Sequence, residues 1–92
     1  MTEASIRIEK IRFAIASALK PASLEIIDQS HRHAGHAGAR DGRGHFDVHI
    51  VSEAFNGKLP LARHRMVFAA VGNLMETDIH ALSIKALSTD EI

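Results

Sequence analysis

Strict alternation of apolar and polar residues in the segment HFDVHIV, residues 45–51, most constrains what this chain can fold into. Every second residue from Phe46 to Ile50 is apolar, which predicts a strand with one buried and one polar face. Residues 23–28 (SLEIID) and 79–86 (IHALSIKA) alternate in the same way and predict two more strands, the first of them antiparallel to 45–51. A sheet with one apolar face must pack that face against other elements.

Two segments have the apolar spacing of helices. Residues 3–19 carry isoleucines at helical spacing and end before Pro21, which predicts one helix. A second helix is predicted from Pro60, a favourable first-turn residue, to about Glu76. Gly72 weakens the last turn of this second helix without excluding it.

The order helix, strand, strand, helix, strand predicts an α/β (α+β) fold. We expect one three-stranded sheet with both helices on one face, because this arrangement buries every apolar face economically. The length of 92 residues suits a single domain, residues 1–92.

Composition argues against several functions. Eleven basic and eleven acidic side chains cancel, which argues against a general nucleic-acid clamp but leaves room for a local basic patch. The chain has no cysteine and therefore no thiolate of its own. No apolar run approaches the roughly 20 residues of a membrane span and no signal-peptide pattern begins the chain, so we expect a cytoplasmic protein. Because no catalytic arrangement stands out, we do not expect an enzyme.

Histidines are concentrated in one glycine-rich stretch. The segment SHRHAGHAGARDGRGHF, residues 30–46, holds four of the seven histidines of the chain. The predicted connection is about a dozen residues long, and long loops in compact domains are often functional. His31, His33 and His36 have a spacing that suits zinc or copper, so metal buffering by this loop alone is one hypothesis.

The chain resembles the BolA family along nearly its whole length. The matching segments are LEIIDQSHRHAGHAGA (24–39), HFDVHIVSEAFNGK (45–58), LARHRMVFAAVGNLM (61–75) and IHALSIKALS (79–88). The resemblance implies a fold similar to the type II KH domain and no enzymatic activity. It also implies that the protein binds a monothiol glutaredoxin and shares a glutathione-ligated [2Fe–2S] cluster with it, in cluster delivery or iron sensing. The implied state is a monomer when free and a heterodimer with glutaredoxin.

His80 matches the cluster-ligand histidine of the family. The alternation of its strand predicts that His80 shares a face with Leu82 and Ile84, at the rim of the core, with one ring nitrogen able to face outward. Alignment on Ser30, the serine that begins SHRH, assigns the second family ligand to His33. The other loop histidines remain weaker alternatives, namely His36, His31 and His45.

A small basic cluster begins the second helix. Some bacterial BolA proteins bind DNA as transcription regulators, so Lys58, Arg63 and Arg65 are candidate contacts to DNA or to the glutaredoxin. Residues two apart on a helix point about 200° apart. The two arginines therefore cannot both face one phosphate, and we expect one to be solvated or salt-bridged. Of the remaining histidines, His49 is predicted on the solvated sheet surface and His64 among packed structural residues.

Overall fold

The computed structural model of the chain describes residues 3–30 and 43–92. Its elements are, in chain order, α1 (Glu3–Leu19), β1 (Ser23–Asp28), β2 (Gly44–Val51), α2 (Pro60–Val71), α3 (Leu74–Thr77) and β3 (Ile79–Leu87). Short 3₁₀ turns follow β2 and β3, at Glu53–Phe55 and Thr89–Glu91. The predicted fold class and the predicted order of the main elements are confirmed.

The three strands form one sheet in the order β1-β2-β3, with β2 in the centre. β1 pairs with β2 in the antiparallel sense, as predicted, with Leu24 opposite Ile50 and Ile26 opposite Val48. β2 pairs with β3 in parallel. Parallel neighbours need a crossover connection, and α2 and α3 lie in the segment that makes it.

One face of the sheet packs against α1 and α2. The apolar residues that alternate along β2 are Phe46, Val48 and Ile50, and all three are buried. They form one core with residues of α1, of α2, of the 3₁₀ turn after β2 and of β3. These residues are Ile11, Ile15 and Leu19 of α1, Val67 and Val71 of α2, Phe55 of the turn and Ile79 of β3. The alternation and the helical stripes in the sequence therefore specify the two surfaces that meet in the core.

The opposite face of the sheet carries mostly polar side chains. His49 of β2 lies 3.2 Å from Glu25 of β1, measured from Nδ1 to Oε1. Gln29 donates a hydrogen bond to Asp47 at 3.1 Å. None of the helices in the described parts of the chain is long and apolar enough to cross a membrane.

The second predicted helix is shorter than expected. The prediction ran to Glu76, but α2 ends at Val71 and a separate short helix, α3, begins at Leu74. Gly72 takes φ 51° and ψ −124°, a conformation that side chains with a Cβ rarely adopt and that cannot continue a helix. Gly72 therefore ends the helix rather than only weakening its last turn.

Candidate functional site

His80 lies at an irregularity in the pairing of β2 with β3. Gly44 is opposite Ile79 and His45 is opposite Ala81, so β3 has one more residue than β2 at this point. This is the arrangement of a β-bulge, with His80 as the extra residue. Its side chain is exposed.

The bulge corrects one part of the prediction for His80, namely its place in a regular alternation along β3. Strict alternation would give His80 the same face as Leu82 and the rim of the core. Instead Ile79 is fully buried, and His80 is exposed. A bulge shifts the alternation by one residue, and bulges are common beside functional sites because they re-aim a side chain.

Both ends of the histidine-rich loop are attached next to this bulge. The hydroxyl of Ser30 accepts a hydrogen bond from the backbone N–H of His45 at 3.1 Å. At the other end, Gly44 donates its N–H to the carbonyl of Asp78 at 3.0 Å, and Arg43 donates to the carbonyl of Met75 at 2.9 Å. The loop therefore leaves and rejoins the described structure beside the start of β3.

The three histidines inside the loop lie outside the described residues. They are His31, His33 and His36. His31 directly follows Ser30, which is the last described residue before the loop. The assignment of the second ligand to His33 stays a prediction.

His45 lies on the open, polar face of the sheet. Its Nε2 is 3.2 Å from the hydroxyl of Ser83 and 3.6 Å from a carboxylate oxygen of Asp47. Its ring therefore has neighbours on β2 and on β3. His49 is exposed on the same face, as predicted, and His64 of α2 is half-buried.

The basic cluster separates into inward and outward residues. Arg63 is only 8 % exposed, and it donates hydrogen bonds to the carbonyls of Lys58 and Ala86 and to Glu91. Its Nη1 lies 2.5 Å from Oε1 of Glu91. This confirms the expectation that one arginine is salt-bridged, and it argues against Arg63 as a contact to DNA or to a partner. Lys58 and Arg65 are exposed.

A buried carboxylate precedes His80, and sequence reasoning missed it. Asp78 is 5 % exposed, and its Oδ2 lies 3.3 Å from Lys10 Nζ and 3.7 Å from Arg7 Nε, both on α1. Thr77 donates its hydroxyl to Oδ1 at 2.6 Å. We call these four residues the Asp78 cluster. No periodicity or motif links positions so far apart in the chain, so only the folded structure identifies the cluster.

Electrostatics keep Asp78 ionised. Burial by itself would raise the pKa of its carboxyl group. The hydrogen bond from Thr77, the hydrogen bond and charge of Lys10, and the charge of Arg7 outweigh this effect and hold the pKa below its ordinary value. The cluster is therefore a set of paired charges at ordinary pH.

The described residues do not form a closed metal site by themselves. Within residues 3–30 and 43–92, no group of three or more His, Cys, Asp or Glu side chains could hold a metal ion. The sequence contains no cysteine. At the bulge, the side chain that is exposed is the imidazole of His80.

Comparison with known proteins places this fold in a class of small α/β proteins. The family model described as BolA-like protein matches residues 15–91. The structure of BolA1 from Arabidopsis thaliana is similar, with a TM-score of 0.79 at 34% identity, over 94% of this chain and 95% of that chain. The BolA domain of SufE1 from the same plant also has a TM-score of 0.79 at 34% identity, over 100% and 99% of the two chains. The chain belongs to the BolA family.

Relatives of this chain differ in length and in the names they carry. The DNA-binding transcriptional regulator BolA of Escherichia coli (strain K12) is 35% identical over 83 residues, which is 90% of this chain and 76% of that protein. SufE-like protein 1, chloroplastic/mitochondrial, of Arabidopsis thaliana is 40% identical over 88 residues, 90% of this chain. The matching region is only 24% of that relative and 55% of Protein BOLA1, chloroplastic, of the same plant.

Proposed function

We propose that this protein is an adaptor that binds a monothiol glutaredoxin and shares a glutathione-ligated [2Fe–2S] cluster with it. In this role it contributes to iron–sulfur cluster trafficking or iron sensing. His80 supplies one ligand, and a histidine of the loop, His33 first among them, supplies the second. The proposed role is binding and not catalysis.

The observation that carries the proposal is the position of His80. Its exposed side chain lies at a bulge, and both ends of the histidine-rich loop are attached beside that bulge. A ligand needs such a held backbone with an accessible ring. His45 is a weaker candidate for the second ligand, because its ring already contacts Ser83 and Asp47.

The donor atoms of the chain explain why a partner is required. A [2Fe–2S] cluster takes four ligands, commonly thiolates, and Rieske centres replace two of them by imidazoles on one iron. This chain has seven histidines and no cysteine. The glutaredoxin thiolate and glutathione therefore supply the sulfur ligands, and this chain supplies nitrogen.

A surface beside the start of α2 supports docking of a protein. Leu59 and Leu61 are exposed apolar residues, and they lie close in sequence to the exposed cations Lys58 and Arg65. Apolar residues with a polar rim are typical of protein–protein contacts. We expect the glutaredoxin to cover part of this surface.

The first experiment is an anaerobic titration of this protein into a [2Fe–2S]-loaded monothiol glutaredoxin with glutathione, followed by visible circular dichroism. The wild type is expected to produce a new spectrum, because imidazole replaces part of the original ligand set. His80→Ala should fail to produce it. His49→Ala is the matched control, since His49 is exposed on the sheet face, and it should behave as wild type.

Two results would count against the adaptor proposal. An unchanged spectrum with wild-type protein would contradict the sharing of a cluster. A wild-type response from His80→Ala would contradict His80 as a ligand. Single replacements of His31, His33, His36 and His45 by alanine, measured in the same titration, identify the second ligand. We expect His33→Ala to have the largest effect of the four.

DNA binding is the second candidate function. The relative from Escherichia coli is named a DNA-binding transcriptional regulator, and two exposed cations, Lys58 and Arg65, lie at the start of α2. Binding through phosphate contacts would weaken steeply with added salt. A duplex-binding assay at two salt concentrations, with Lys58→Ala and Arg65→Ala, tests this candidate, and affinity that is independent of both variants would contradict it.

A further inference from the structure

Asp78 connects four elements through a single residue. Its carboxylate pairs with Lys10 and Arg7 of α1. Its N–H donates to the carbonyl of Leu74 in α3 at 2.8 Å, and its carbonyl accepts from Gly44 of β2 at 3.0 Å. Asp78 directly precedes β3, and His80 is the second residue of that strand.

Because of the bulge, the ion pairs and hydrogen bonds of Asp78 affect the direction of His80 more than they would in a regular strand. In a regular ladder, the hydrogen bonds to the neighbouring strand set the direction of each side chain. At a bulge the ladder is locally interrupted and the extra residue does not follow this pattern. Besides the contacts of His80 itself, its direction therefore depends on what holds the residues on either side of it.

We propose that Asp78 is a positioning residue, which uses its ion pairs with α1 to fix the start of β3 and so the direction of the His80 side chain. This inference rests on the proposed function, because it states how a ligand is held for a shared metal centre. A buried charge that loses its partners is strongly unfavourable, so the paired state is a firm attachment. Replacing a group that orients a metal ligand typically lowers metal affinity by about 10- to 100-fold.

The test compares three variants of the full chain. Asp78→Asn keeps the shape of the side chain and removes its charge. Lys10→Gln removes one of the cations on α1 that pair with Asp78. Arg12→Gln is the matched control, because Arg12 is an exposed cation on the same helix whose pair is with Glu9 at 3.6 Å.

Two measurements are made on each folded variant. In the isolated protein, hydrogen exchange of the backbone amides of residues 79–81 reports how firmly the bulge is held. In the titration with [2Fe–2S]-loaded glutaredoxin and glutathione, we expect Asp78→Asn to need about a tenfold higher concentration than wild type for half of the spectral change. When enough variant has been added to saturate the glutaredoxin, the visible circular dichroism bands should also differ from those with wild type, which a loss of stability alone would not cause.

We expect Asp78→Asn and Lys10→Gln to exchange faster at residues 79–81, and Arg12→Gln to match the wild type. Exchange and visible spectra equal to wild type in Asp78→Asn would overturn the proposal. If Asp78→Asn fails to fold, wild-type exchange and spectra in Lys10→Gln overturn it instead. Failure of the proposed function has a different signature, namely that wild-type protein produces no new spectrum while exchange at 79–81 still responds to both substitutions.

Discussion

Gly44 shows how one residue controls the geometry of the candidate site. A Cβ at this position would lie 2.6 Å from the hydroxyl oxygen of Ser30 and 2.8 Å from the ring of Phe46. Both distances are far below ordinary van der Waals contact, and Phe46 is a fully buried core residue. Only glycine therefore allows the two ends of the loop to approach each other beside β3.

We predict that Gly44→Ala lowers the free energy of unfolding by about 1–3 kcal/mol, because the added methyl group overpacks the loop ends and the core. Urea denaturation measures this change. Gly57→Asn is the control, because a Cβ there would meet no atom within 4 Å. Its cost comes only from the positive φ of 75°, which asparagine tolerates better than most residues, so it should be smaller than that of Gly44→Ala. A change below about 0.5 kcal/mol in Gly44→Ala would contradict the prediction.

The positions of two candidate site residues, His80 and Arg63, could not be predicted fully from the sequence. His80 became a candidate ligand by its match to the family segment IHAL, but the bulge at this residue was not predicted because alternation assumes a regular strand. Arg63 and Arg65 look alike in the sequence, yet one is buried against Glu91 and the other is exposed. Their difference depends on a C-terminal residue 28 positions away from Arg63.

At the scale of elements, α1 and the turn after β2 are joined by a buried serine. Ser52 is fully buried, and it donates its hydroxyl to the carbonyl of Leu19, the last residue of α1, at 2.7 Å. The same hydroxyl accepts from the N–H of Ala54 at 3.1 Å, which caps the 3₁₀ turn. One side chain thus satisfies backbone groups at the ends of two elements.

We predict that Ser52→Ala lowers the free energy of unfolding by about 1–3 kcal/mol, because it leaves polar groups without their partner in a buried position. Thermal or urea denaturation measures the loss. Ser17→Ala is the matched control, since Ser17 is exposed on α1, and it should change stability by less than about 0.5 kcal/mol. Equal effects of the two substitutions would show that the Ser52 hydroxyl does not join these elements.

At the scale of the whole molecule, one ion pair attaches the C-terminal turn to the helical layer. Glu91 accepts hydrogen bonds from the backbone N–H and the hydroxyl of Ser88, and it pairs with Arg63 of α2. These contacts lower the pKa of Glu91 from 4.5 to about 2. The hydrogen bond from the Ser88 backbone has the largest effect, and the hydrogen bond from Arg63 comes next. The carboxylate is therefore held in its charged form.

The depressed pKa of Glu91 predicts a pH dependence of stability. A group whose pKa is lower in the folded state stabilises the fold above its unfolded pKa, and this contribution is lost as the pH falls. The stability difference between wild type and Glu91→Gln should therefore be largest above pH 4.5 and shrink as the pH falls toward about 2. Denaturation at a series of pH values measures it, and a difference that stays constant across this interval would contradict the prediction.

The sequence by itself determined the elements of this protein and the faces on which they pack. The alternation at residues 45–51 and the apolar spacing in residues 3–19 depend on near neighbours in the chain, so they can be interpreted without any knowledge of the fold. The antiparallel pairing of β1 with β2 was also predicted, whereas the parallel pairing of β3 with β2 came only from the structure.

Only the tertiary structure decided where the candidate site residues lie and what they contact. The direction of His80 follows from a bulge in the pairing of β2 with β3, and the inward position of Arg63 follows from its contact with Glu91. Asp78 acquires its partners because α1, at the other end of the chain, lies against the start of β3. These outcomes depend on contacts between residues far apart in the chain, which local periodicity does not encode.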